Sequence, residues 1–108
     1  MCEVLEEQLP AYTADPLTAL PPGAGASAWR AHVTLMRART ETLSKVAPEE
    51  LRDAASRLKE TNDKLADMFR AAQNDPAQVD PGLVSQLLRD TGYPDAVAAI
   101  TMYRKNSC

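Results

Sequence analysis

Apolar residues recur every third or fourth position along almost the whole chain, and the every-other-residue alternation of a half-buried strand is absent. The pattern predicts a first helix over about 2–14, with Cys2, Leu5, Leu9 and Tyr12 on one face and a bend or break at Pro10. The stretch "DPLTALPPGAGAS" then forbids a regular helix and reads as a connector, whose Leu17 and Leu20 should pack down onto the body. Ser27 suits the N-cap of a second helix, in which Trp29, Val33, Met36, Thr40, Leu43 and Ala47 form a continuous stripe. Pro48 fits the first turn of a third helix, with Glu49 and Glu50 against its positive end.

The third helix carries the same alternation of four- and three-residue steps: Leu51, Ala55, Leu58, Asn62, Leu65, Phe69 and Ala72. Asp53 and Arg57, and Glu60 and Lys64, make acid-first i, i+4 pairs on its outer face, worth roughly 0.2–0.5 kcal/mol each. Two stripes joined by so short a turn predict an antiparallel hairpin over about 27–73. Beyond "NDPAQVDPG", Asp80 should cap a fourth helix with Pro81 in its first turn and Leu83, Val84, Leu87 and Leu88 on its buried side. Gly92 fits the left-handed residue that stops it. A last helix starts near Pro94 and places Val97, Ile100, Thr101 and Arg104 on the side of Cys108. The expected fold is a single all-α domain over 1–108, a compact bundle of four to five helices around that central hairpin.

Length and charge narrow the class. A chain of 108 residues is long enough for one core. A net charge of -3 speaks against nucleic-acid binding, and Arg30, Arg37 and Arg39 form only a small patch interrupted by Glu41. No apolar run reaches the roughly 18 residues a membrane helix needs. Abundant alanine, and arginine in excess of lysine, suit a GC-rich bacterial gene.

The two cysteines change the picture most, because they stand at opposite ends, Cys2 and Cys108. Both fall on inner faces of their helices, and the termini of compact domains often lie close together. A disulfide is the favoured reading, ahead of two free thiols or a lipidated Cys2. It would close nearly the whole chain into one loop, worth roughly 4–5 kcal/mol on the chain-entropy model. It also implies an oxidising, extracytoplasmic or secreted setting, with the leader absent from this sequence; a cytoplasmic location is the alternative.

Catalytic signals are lacking. His32 is the only histidine, no GxSxG surrounds a serine, and "PPGAGAS" has neither the lysine nor the preceding strand of a phosphate loop. The adjacent pairs Glu6–Glu7 and Glu49–Glu50 point about 100° apart on a helix and form no shared-proton dyad. In "HVTLM", His32 and Met36 lie one turn apart, a donor pair that suits copper or one face of a haem iron, with Met68 and Met102 as possible neighbours. Core packing accounts for Met36 more simply. Asn62 interrupts the apolar stripe of the third helix, where an amide must be paired or line a polar cavity.

Elimination leaves binding rather than catalysis. The expectation is a non-enzymatic domain without a cofactor, a monomer rather than a homodimer, that takes a protein partner or a small apolar ligand. Trp29, His32, Met36 and Asn62 are the candidate contacts. The alternative is a cytosolic helical homodimer joined through the heptad-like third helix.

Overall fold

The computed structural model describes residues 2–13, 16–17, 19–21 and 23–108, and the connector's positions 15, 18 and 22 lie outside it. Among the described residues five helices follow in order: α1 (Cys2–Thr13), α2 (Ala26–Val46), α3 (Arg52–Ala71), α4 (Pro81–Asp90) and α5 (Tyr93–Ser107). Short 3-10 turns at Glu49–Leu51 and Pro76–Gln78 precede α3 and α4. No strand occurs among the described residues. The fold is the expected all-α bundle built on the α2–α3 hairpin, with α5 against α3, α1 against α5, and α4 bracing α3 and α5.

Local chemistry sets most boundaries as expected. The Asp80 carboxylate accepts from the Gly82 amide at 2.8 Å, with Pro81 in the first turn of α4. Gly92 takes the left-handed conformation at φ 69°, and a Cβ there would lie 2.5 Å from the Arg57 guanidinium. Two boundaries differ. The second helix begins at Ala26, with extended Gly25 as its N-cap and no side-chain cap, so Ser27 lies inside the first turn and exposed. Pro48 caps the 3-10 turn rather than opening α3 directly. Pro10 is exposed, and α1 runs through it without interruption.

Buried side chains fall into two clusters. The first joins Leu5, Leu9 and Tyr12 of α1 to Met36 and Leu43 of α2, Ala55 and Leu58 of α3, and Tyr93, Ala96 and Ile100 of α5. The second joins Trp29, Leu65, Phe69, Val79 and Val84, and the connector's Leu17, Leu20 and Ala24 pack against it only partly buried. The connector therefore packs down as its apolar residues imply. Leu83 does not join the buried side of α4: it is 58% exposed, because Val84, Leu87 and Leu88 share a face that Leu83 flanks. Thr101 and Arg104 are likewise exposed, and the buried residues of α5 are Tyr93, Ala96 and Ile100.

A disulfide joins Cys2 to Cys108, with 5.9 Å between their Cα atoms and a sequence separation of 106. Arg104 supports the same junction by donating Nε and Nη2 to Glu6 Oε1 at 3.2 and 3.0 Å. The other ion pairs are exposed and local, or join α2 to α3 where Arg37 and Lys59 share Asp63. Such pairs add about 0–1 kcal/mol each.

Candidate functional site

The two clusters do not meet flush. Between them lies a cavity of about 40 Å³ bounded by α2, α3, the end of α1 and the connector. His32, Val33 and Met36 form its α2 wall, and Asn62, Leu65, Ala66 and Phe69 its α3 wall. Ala11, Pro16, Ala19 and Tyr93 complete it. Helical periodicity explains the convergence: 32, 33 and 36 share one side of α2, while 62, 65, 66 and 69 share one side of α3. The antiparallel hairpin turns those sides toward each other.

Three of the four residues chosen from sequence thus line one cavity. The fourth, Trp29, stands behind it: its ring stacks on Phe69 with centroids 5.3 Å apart and meets His32 edge-on at 6.0 Å. Two further expectations fail. Met102 is 55% exposed on α5, far from any inner face, and Met68 packs in the second cluster without reaching the cavity wall.

Most of the polar groups around the cavity are committed. Tyr93 donates its hydroxyl to the Tyr12 carbonyl at 2.8 Å, and Tyr12 donates to Gln8 Oε1. Burial pushes the Tyr93 phenol up to about 12 and raises Tyr12 as well, where the neighbouring Tyr93 adds to the effect. Asn62 donates Nδ2 to the Leu58 carbonyl at 3.1 Å, which satisfies one side of its amide. His32 differs: no hydrogen bond reaches its imidazole among the described residues. Burial, and secondarily the charge of Arg39, hold its pKa below the ordinary 6.5, so the ring is neutral at pH 7.

This arrangement can accept an apolar group and hydrogen-bond to it at one edge. No formally charged side chain lines the cavity. Among the described residues no three His, Cys, Asp or Glu side chains gather as a metal site would require. Sequence reasoning missed Phe69, Ala66 and Tyr93 as cavity residues: Phe69 read only as core, and Ala66 and Tyr93 fell on none of the predicted stripes. It also grouped Arg39 with Arg30 and Arg37. Arg37 in fact turns outward to Asp63, whereas Arg39 is half-buried and acts on His32 and Tyr12.

Comparison with protein-family models, with curated proteins and with solved structures finds no match to this chain.

Proposed function

We propose that this chain is an extracytoplasmic, non-enzymatic binding domain that holds a small, largely apolar ligand in the cavity between α2, α3 and the connector. One observation carries the reading: His32, Met36 and Asn62 converge on a single apolar cavity, and His32 brings an imidazole with unused hydrogen-bonding capacity. Ligand sites in helical bundles are of this kind, mostly apolar with a few placed polar groups. A void of about 40 Å³ exceeds what one water needs, so its apolar walls give up contacts that a ligand would restore. The terminal disulfide supports an oxidising setting.

Alternative readings find less support. The apolar stripe of α3 that a homodimer would use is spent inside the chain, with Leu58 fully buried and Leu65 and Phe69 nearly so. A haem macrocycle is many times larger than the cavity.

Trp29 is the only tryptophan and touches two cavity residues, so its indole signal reports occupancy. Xenon under pressure, an apolar guest small enough for a void of this size, should shift the Trp29 indole resonance of the oxidised protein saturably. Ala66→Leu, which fills the cavity from α3, should abolish that shift while leaving the helical circular dichroism intact. An equal response in the Ala66→Leu protein would place binding elsewhere and reject the site.

A further inference from the structure

The helix that the disulfide fastens is the one least able to hold its place without it. α1 has 12 residues, a length at which an isolated helix is marginal, and Pro10 inside it removes a backbone hydrogen bond. It lies antiparallel along α5 and is tied to it at three levels: the Cys2–Cys108 bond at one end, the Arg104–Glu6 pair one turn in, and the Tyr93 hydroxyl on the Tyr12 carbonyl at the other end. The ion pair is exposed and of the kind that contributes little. The rest of the bundle depends less on α1. The second cluster, Trp29, Leu65, Phe69, Val79 and Val84, contains no α1 residue, and α3 packs directly on α2, α4 and α5.

The bond is also within reach of a reductant. Cys108 is exposed and Cys2 half-buried, and an open crevice lined by Glu6, Thr101, Arg104 and Lys105 runs up to Cys108. Lys105 has no acidic partner among the described residues, so the crevice offers a cation to an approaching thiolate. At its other end α1 bears on the cavity. Ala11 lines it, and the Tyr12 carbonyl holds the hydroxyl of Tyr93, which lines it from α5.

We propose that the Cys2–Cys108 disulfide is a reducible latch: a dithiol reductant cleaves it, α1 lifts from α5, and the cavity opens and releases its guest. One thiolate of the dithiol attacks Cys108 Sγ, forming a mixed disulfide and expelling Cys2 as a thiolate that takes a proton from water. The second thiolate of the reductant then closes on the first, which frees Cys108 and leaves the reductant as a disulfide. Two electrons pass to the protein. On the chain-entropy model, a bond that closes a loop the length of residues 2–25 makes release of α1 roughly two hundredfold rarer, and reduction lifts that restraint. The inference rests on the cavity being the binding site, and it adds how its occupancy is regulated.

Hydrogen exchange followed by NMR on the full-length protein, oxidised and after dithiothreitol, reads the release. The Leu9 and Tyr12 amides should exchange roughly two hundredfold faster once the bond is reduced, and ahead of the Leu65 and Phe69 amides of α3. The double variant Cys2→Ser, Cys108→Ser should match the reduced protein without any reductant. Xenon under pressure, bound in the closed cavity, should slow α1 exchange severalfold in the reduced protein. Unchanged exchange in α1, or α1 exchanging only together with Leu65 and Phe69, would overturn the latch and leave the cavity standing. Xenon that shifts the Trp29 indole resonance without slowing α1 would overturn the link between latch and cavity. No xenon shift at Trp29 in the oxidised protein would reject the cavity itself and with it the gating.

Discussion

The cluster beneath the disulfide and the cluster beneath the connector are closed by different means. The first is built mainly from helical residues, and its Leu5, Leu43, Leu58 and Ile100 have no exposed surface at all. A covalent bond and the Arg104–Glu6 pair hold α1 to α5 above it. The second depends on Trp29, Phe69 and Val84 from helices and on Leu17, Leu20 and Ala24 from a connector without regular structure. Several of its members stay partly exposed. The cavity lies on the border, with Met36 and Tyr93 from the tight side and Leu65 and Phe69 from the looser one. The connector's Pro16 and Ala19 form the part of the wall that no helix supplies.

Breaking that asymmetry should produce graded effects. The largest follows from the tight end. Cys108→Ser, or reduction, should cost about 4–5 kcal/mol on the chain-entropy model, read as a lower denaturant midpoint. Leu58→Ala in the tight cluster should cost about 2–5 kcal/mol, whereas Val79→Ala beneath the connector should cost closer to ~1 kcal/mol. Equal losses would erase the distinction between the two ends. Tyr93→Phe, which removes the bond to the Tyr12 carbonyl, should cost about 1 kcal/mol by chemical denaturation.

The same tyrosine sharpens the comparison at alkaline pH. Its phenol ionises near 10.0 when unfolded and near 12 when folded, so the unfolded chain loses its proton first. Stability should fall between those values, and less steeply in Tyr93→Phe. The smallest effect lies on the acid side. Because folding holds His32 below 6.5, the unfolded chain takes up the proton first as pH drops. The contribution of His32 is complete above about 6.5 and declines below it. His32→Gln should flatten that part of a thermal-stability profile.

Much of this architecture is legible in residue order. The stripes of α2 and α3, the Asp80 cap, the left-handed Gly92 and the pairing of Cys2 with Cys108 each follow from local spacing or elementary covalent chemistry. What spacing does not carry is which of two neighbouring faces a partner helix covers. Leu83 and Met102 read as inner residues and lie outside, because α4 is short and α5 is covered along only one side. The N-terminus of α2 was misplaced for a related reason. Ser27 is a good cap in isolation, but the extended backbone at Gly25 lets the helix begin before it. Of the site, His32, Met36 and Asn62 are visible because each is an odd residue on or beside an apolar stripe. The half-burial of Arg39 is not visible, since one arginine among three on a charged helix reads as exposed as the others.

The central claim is that the cavity between α2, α3 and the connector is a binding site. Backbone and methyl NMR of the oxidised protein, recorded with and without xenon under pressure, tests it most directly. The account predicts shifts concentrated at His32, Met36, Asn62, Phe69 and the Trp29 indole, with the surroundings of Leu43 and Ile100 unmoved. Shifts scattered over exposed residues such as Leu35, Leu83 and Met102, with the cavity residues silent, would contradict it.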